Sequence, residues 1–346
     1  MLFDLQEDLG FRVTAYVVPD AGSKVPLIII LNDGVELARV AAKTHIPALV
    51  AAGRHTSGLC GFIVDEVLIP GLAGMAGLEL IDEDTGLLVY KRPTDDMLGG
   101  VKMLRLETHL LPLWRLDDII RPRFQQWYKG IERFGLETCT QVFCIKDRKS
   151  LFVSGRLLYK NYEYYLRKDI NVVTLLRDPY FELAERLLIL KNVGERAEMM
   201  LGIRDAISMA PAMKILSELA DFSYDSCKRL FKKAPKVLYE ALSNPLVRQL
   251  TTSVPGELPG RGAIAASLDV LASFQFVGMR SHSEDFRGAL AETLLIDEEQ
   301  LPTLTEHQRL TDLSCHLRDF PAVESFLEQD LELFPIVQAA VEASAA

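Results

Sequence analysis

The sequence carries no long run of Lys and Arg, no apolar stretch of membrane-spanning length and no paired cysteine spacing. Its 346 residues include 38 Lys+Arg against 48 Asp+Glu, a formal net charge of -10. Binding to a phosphate backbone needs clustered cations, so DNA and RNA are not expected partners. No apolar run reaches the roughly 18 residues that span a bilayer, which predicts no transmembrane segment. The first residues, Met1-Leu2-Phe3-Asp4-Leu5-Gln6-Glu7-Asp8, are acidic where a secretory signal is basic. A cytoplasmic location is the expectation. The five cysteines, Cys60, Cys139, Cys144, Cys227 and Cys315, are scattered, which predicts free thiols. Cys315-His316 lacks the further ligands of a structural zinc site, and no metal is expected. Also missing are G-x-S-x-G, H-E-x-x-H, G-x-x-x-x-G-K-[ST] and a dinucleotide fingerprint, which removes the function classes resting on those motifs.

The chain is long for one hydrophobic core, and its pattern divides it into residues 1–92 and 93–346. The first part reads as a small β-sandwich. Phe11-Arg12-Val13-Thr14-Ala15-Tyr16-Val17-Val18 and Val25-Pro26-Leu27-Ile28-Ile29-Ile30-Leu31 are strand-like, and Asn32-Asp33-Gly34 is a turn. Further strands fall at Gly61–Val64, Leu78–Asp82 and Leu87–Tyr90, while residues 36–52 fit a helix or a loop. Arg54-His55-Thr56-Ser57-Gly58 reads as an exposed loop of this part.

Beyond Pro93 the period becomes helical. Apolar residues at three- and four-residue steps predict a helix over 119–134, and Leu157–Lys168 predicts another. Asn171-Val172-Val173-Thr174-Leu175-Leu176 has the β-branched character of a buried parallel strand and ends in Arg177-Asp178-Pro179. By capping chemistry alone, Asp178 caps the next helix with Pro179 at its first position. Helices are also predicted near 180–191, 196–202, 212–220, 236–242, 263–274, 284–294 and 322–345, the last interrupted near Pro335. Ser283 is the expected cap of the helix at 284–294. Val254-Pro255-Gly256-Glu257-Leu258-Pro259-Gly260-Arg261-Gly262 reads as a loop.

Three stretches in order resemble the carbohydrate-type sulfotransferase family: Val173–Tyr180 with Arg177, Asn244-Pro245-Leu246-Val247-Arg248, and Leu268–Met279 with its Val277-Gly278 pair. The resemblance spans roughly residues 100–295. It implies an α/β fold with a P-loop-type parallel sheet and helices, preceded by the β-sandwich and ending in helices. It also implies transfer of a sulfuryl group from PAPS to a hydroxyl of a glycan or glycolipid acceptor. Arg177 would hold the 3′-phosphate of PAPS, with Asn244 and Arg248 shaping the donor pocket. The first part resembles β modules that stand beside glycosyltransferases, through Arg12–Tyr16, Asn32-Asp33-Gly34-Val35-Glu36, Gly61-Phe62 and Asp82–Leu88. That resemblance implies a glycan context and protein partners in polysaccharide assembly.

Three positions depart from the family pattern. The glycine-rich loop that cradles the 5′-phosphosulfate corresponds to Leu88–Asp96, where Lys91 and Arg92 supply cations but glycines are missing. Arg156 stands where many members have a catalytic His, and a guanidinium is no base. Glu185 stands where a Ser would donate to the 3′-phosphate. His282 is the substitute candidate for the base. Glu107-Thr108-His109 reads as a surface helix and turn. Two expectations follow: a sulfotransferase-like enzyme using Lys91, Arg92, Arg177 and Arg248 for the donor, or a non-catalytic glycan-binding or interaction scaffold.

Overall fold

The computed structural model of the protein describes residues 1–146 and 148–345. The chain forms two compact units. The first comprises Met1–Lys102, Arg121–Tyr128 and Gly135–Phe152, and the second Met103–Ile120, Lys129–Phe134 and Val153–Ala346.

The first unit contains β1 (Leu2–Asp8), β2 (Arg12–Val18), β3 (Leu27–Asn32), β4 (Val35–Ala41), β5 (Thr44–His45), the short α1 (Pro47–Ala51), β6 (Leu59–Asp65), β7 (Leu78–Asp82) and β8 (Leu88–Lys91). They make two four-stranded sheets, β1-β2-β6-β5 and β4-β3-β7-β8, and every assigned pair within them is antiparallel. Much of the stretch from 36 to 52, where a helix or loop was expected, is therefore strand. The turn between β3 and β4 places Asp33 at φ 49° and Gly34 at φ 77°, the left-handed pair that a two-residue hairpin loop requires. Alternation puts Ile28 and Ile30 at 0% exposure. A one-residue slip of β3 would turn both outward, at about 2–3 kcal/mol each.

The following elements are β9 (Lys102–Leu106), α2 (Trp114–Ile120), β10 (Gln126–Lys129), α3 (Leu136–Cys144), β11 (Leu151–Gly155) and α4 (Glu163–Asp169). The helix expected over 119–134 does not form. Pro122 offers no N–H and disfavours helical backbone before it, so α2 ends at Ile120. Gln126-Trp127-Tyr128-Lys129 then extends into β10, and Gly130 turns the chain at φ 65°. The helix expected from Leu157 begins only at Glu163.

The chain continues through β12 (Asn171–Leu176), α5 (Pro179–Asn192), α6 (Ala197–Ser217), α7 (Tyr224–Lys232), α8 (Lys236–Leu242), α9 (Pro245–Thr251), α10 (Ala263–Ala272), β13 (Phe276–Met279), α11 (Ser283–Leu294), α12 (Gln308–Arg318) and α13 (Pro321–Ala345). The fold is thus mixed α/β. Its five-stranded sheet runs β10-β11-β9-β12-β13, and β12 pairs in parallel with both β9 and β13. Val172 to Leu176 are all buried, as a strand covered on both faces demands. Hydroxyls reinforce this centre: Thr174 Oγ1 donates to the Leu106 carbonyl at 3.0 Å and Thr108 Oγ1 to that of Leu175 at 3.0 Å.

Helices of the second unit share one apolar cluster that includes Leu183, Leu187 and Leu190 of α5, Leu201 and Leu216 of α6, and Phe326 and Leu327 of α13. The helices expected near 196–202 and 212–220 correspond to the two parts of α6, which meet at a kink at Gly202 (φ 78°, ψ 160°), the second part starting earlier than expected. A Cβ there would meet the Glu132 carbonyl and the Arg133 Cα at 3.0 Å, so glycine permits both the bend and the approach. Helix α13 continues through Pro335.

Near its middle, α13 is tied to α9. The Asn244 N–H donates to the Phe326 carbonyl at 2.8 Å, and the Asn244 side-chain oxygen accepts from the N–H groups of Gln329 and Asp330. The Asp330 carboxylate in turn accepts from the N–H groups of Leu246 and Val247 at 3.0 and 2.9 Å. Asp330 thus satisfies two of the first N–H groups of α9, which have no partner within that helix. Among the described residues, no helix is long and apolar enough to cross a membrane.

Candidate functional site at the carboxyl edge of the parallel sheet

Strand β12 ends as its sequence indicates. Asp178 accepts from the N–H groups of Tyr180 and Phe181 at 3.0 and 3.2 Å, with Pro179 in the first turn of α5. Arg177 is thereby left at the strand's carboxyl end, the edge where open α/β sheets carry their ligands. Its side chain is 7% exposed and is paired through Nη1, while the buried Nε makes no hydrogen bond among the described residues. Nη1 donates to Glu185 Oε2 at 2.6 Å, Glu306 Oε1 lies 3.6 Å from Nε, and the guanidinium sits 5.0 Å from the Phe181 ring centre. Burial opposes its charge, but Glu185 and Glu182 outweigh burial and hold the guanidinium protonated. The second oxygen of Glu185 accepts from the Leu111 N–H at 2.9 Å.

The strand–loop–helix step beside β12 is β9, residues 107–113 and α2. It does not involve Leu88–Asp96, whose strand β8 belongs to an antiparallel sheet of the first unit. Nor is the Glu107-Thr108-His109 stretch a surface turn, since Glu107 and His109 are 1% and 0% exposed. Glu107 folds back into its own loop. Oε1 accepts from the His109 N–H at 3.2 Å, and Oε2 accepts from the Leu113 N–H at 2.9 Å and from Arg105 Nη1 at 2.7 Å. Arg105, buried in β9, also makes a two-pronged pair with Asp117 of α2 at 2.7 and 2.8 Å, and Asp117 accepts from Ser154 at 2.7 Å. Burial opposes the Arg105 charge, yet Asp117 and Glu107 hold it firmly protonated.

His109 differs from its neighbours. Neither ring nitrogen has a hydrogen-bond partner, and Nδ1 lies 3.5 Å from Glu107 Oε1. Burial, followed by the positive field of Arg177 and Arg280, holds its pKa well below the usual histidine value. The imidazole is neutral across the physiological range.

A second ionic layer joins Arg156, after β11, to α6. Arg156 Nε donates to Asp205 at 3.2 Å, Nη1 to the Leu110 carbonyl and Nη2 to that of Leu201, and Glu132 lies 3.4 Å away. Arg204 shares Asp205 at 2.7 Å. Burial raises the Asp205 pKa, but Arg204 and Arg156 more than reverse this and keep the carboxylate charged. On α5, Arg186 Nε donates to Glu182 at 2.9 Å, and Nη2 donates to the Thr108 carbonyl at 3.3 Å. Burial is the main cause that lifts Glu182, against the opposing pull of Arg186, to about 7.

Two spaces border these residues. Beside Arg177, Thr108, Glu182 and Asp330 the cavity measures about 10 Å³. A larger cavity of about 320 Å³ has Arg156, Arg186, Arg204 and Arg248 in its lining.

The remaining expected residues lie as follows. Lys91 pairs with Glu79 at 2.9 Å, and Arg92 makes a bidentate pair with Asp8 at 2.8 and 2.9 Å while donating to the carbonyls of Leu72, Met75 and Gly10. Both contact sets lie within the first unit. Arg248 donates to the carbonyls of Glu240, Ser243 and Pro255. His282 is exposed, with Nδ1 3.1 Å from Ser281 Oγ. It occupies the cap position of α11, where Ser283 was expected, because α11 starts one residue earlier; Glu284 and Asp285 stand in the first turn. His55 is buried at 2% rather than exposed, and its Nδ1 accepts from the Gly58 N–H at 2.9 Å. The sequence reading singled out Arg186 beside Glu185 but missed Arg105, Asp117, Glu132, Arg204 and Asp205 as members of the network. Their sole sequence signal was charge inside otherwise apolar elements.

No protein-family model matches this chain, and no curated protein matches it.

Proposed function

We propose that this protein is a non-catalytic, sulfotransferase-like scaffold that acts by binding within glycan or polysaccharide assembly. The observation that carries the reading is the placement of Glu107 and Glu185. In a phosphate-binding loop, backbone N–H groups and a cation converge on a ligand oxyanion. Here the N–H groups of His109 and Leu113 and the guanidinium of Arg105 converge on Glu107. At the end of β12, Arg177 and the Leu111 N–H converge on Glu185. Glu185 stands where the resemblance expects a Ser that donates to the 3′-phosphate, and Glu107 fills the loop after β9, which lies beside β12 in place of the Leu88–Asp96 stretch.

The P-loop-type reading of the sheet rests on the succession β9, loop, α2 and on β12 ending in Arg177-Asp178-Pro179. These residues do not fit PAPS as donor. About 10 Å³ beside Arg177 is the room of roughly one water, and a nucleotide meeting Glu107 and Glu185 would face two negative charges. Arg156, bound to Asp205 and two carbonyls, supplies no base for an acceptor hydroxyl. The partners of such a scaffold are a glycan or glycolipid and proteins of polysaccharide assembly, in a cytoplasmic setting.

Calorimetry with adenosine 3′,5′-bisphosphate tests this reading. The folded wild-type chain should give no Arg177-dependent binding tighter than about 1 mM. Micromolar binding that Arg177→Ala abolishes would overturn it and restore the PAPS-dependent transferase.

A further inference from the structure

The cavity of about 320 Å³ lies wholly within the second unit, among residues of α5, α6, α8, α9 and the loop after α9. Its volume falls in the range of small-molecule sites. Its walls differ in character. Its lining includes the apolar Leu157, Met209, Pro211 and Val237 and the charged Arg186 and Arg248, with Asp205 and Glu240 as its carboxylates.

Arg248 is the unusual member. It is 8% exposed, yet among the described residues no carboxylate forms an ion pair with it. The three acceptors it meets are neutral carbonyls, which leave part of the guanidinium's donor set unspent. The nearest acidic groups are committed elsewhere: Asp330 to the N–H groups of Leu246 and Val247, and Glu240 to Lys236 at 3.3 Å. Burial, and then the facing charge of Arg186, push the Arg248 pKa below its ordinary value. Arg186 already has Glu182 as partner at 2.9 Å, so the uncompensated cost falls on Arg248, a buried cation that an anion in the cavity would offset. Guanidinium forks match tetrahedral oxyanions, to which each can donate two hydrogen bonds.

We propose that this cavity binds a small organic sulfate or phosphate ester, its oxyanion held between Arg186 and Arg248 and its organic part against Leu157, Met209, Pro211 and Val237. The proposal stands on the cavity and holds whether or not the edge around Arg177 binds a donor. It places the ligand in a cavity that Arg177 does not line, with no bond made or broken.

Titration calorimetry of the full chain with glucose 6-sulfate, glucose 6-phosphate, inorganic sulfate and inorganic phosphate tests it. At least one ester should bind with a Kd on the order of 100 µM or tighter, and its inorganic counterpart at least about tenfold more weakly. The ester that binds more tightly identifies the source of the oxyanion. Arg248→Gln should weaken binding by about tenfold or more. Since Arg248 also anchors three carbonyls, Ala241→Trp on α8 offers a second route: it leaves both arginines in place, projects an indole into the cavity and should abolish binding. No binding of either ester by folded wild-type protein would overturn the proposal, as would affinity unchanged by Ala241→Trp or an inorganic anion binding as tightly as its ester.

Discussion

If Glu185 is an internal substitute for a ligand anion, removing it should leave an anion-sized deficit that a soluble carboxylate can fill. Glu185→Ala deletes the partner of Arg177 Nη1 at 2.6 Å and of the Leu111 N–H at 2.9 Å. Breaking a buried pair from one side costs about 3–5 kcal/mol, most of it the penalty of a stranded charge. Glu306, 3.6 Å from Nε, and the Phe181 face offset part of this, so about 3 kcal/mol is expected. The atoms removed amount to an acetate. With a site affinity on the order of 10 mM, about 100 mM acetate should return about 1.4 kcal/mol to the variant by linkage and nothing to the wild type, whose site is already taken. Urea unfolding at pH 7.5, with sodium acetate against sodium chloride at equal ionic strength, measures both quantities. A loss under about 1 kcal/mol, or equal stabilisation of both proteins by acetate, would refute the substitute-anion argument.

Three further outcomes are expected. The folded chain binds fewer protons than the unfolded chain at His109, so stability should fall as pH drops below about 6.5, by up to about 1.4 kcal/mol per unit; His109→Leu should flatten that limb in pH-dependent urea melts and change stability at pH 7.5 by less than about 1 kcal/mol. Asp330 has the opposite sign, because burial lifts its pKa to about 6 and the folded chain binds the extra proton; its contribution should decline as pH rises from about 4 to 6, so the stability difference between wild type and Asp330→Asn should shrink across that window. Gly202→Ala should cost about 2–4 kcal/mol in the same melts, since its backbone angles suit glycine alone and its Cβ would press on the Glu132 and Arg133 backbone.

Some of this architecture was legible in the residues. Val172 to Leu176 read as a buried strand because nothing in them competes with that role, and Asp178-Pro179 announced α5 by capping chemistry that needs no tertiary help. Strand β9 was hidden by Arg105. A guanidinium in the middle of Lys-Met-Leu-Arg-Leu reads as surface until Asp117, twelve residues on, and Glu107 are known to neutralise it. With β9 unseen, the loop was sought in the more uniformly apolar Leu88-Val89-Tyr90. The apolar spacing over 119–134 was real, but Pro122 divides it between the end of a helix and a strand. Glu107 and His109 were likewise misjudged, because polar residues in sequence give no sign of burial when their partners are backbone N–H groups and other charges far along the chain.

The mutual fastening of α9 and α13 also sets an order of events during synthesis. The first N–H groups of α9, the helix that carries Arg248, wait for a carboxylate 84 residues downstream of Leu246. At about 5–20 residues per second, roughly 4–17 s separate the emergence of one wall of the large cavity from that of the residue that completes it. For that interval a nascent chain holds Arg248 on an unfinished helix, exposed to whatever else in its surroundings can cover it.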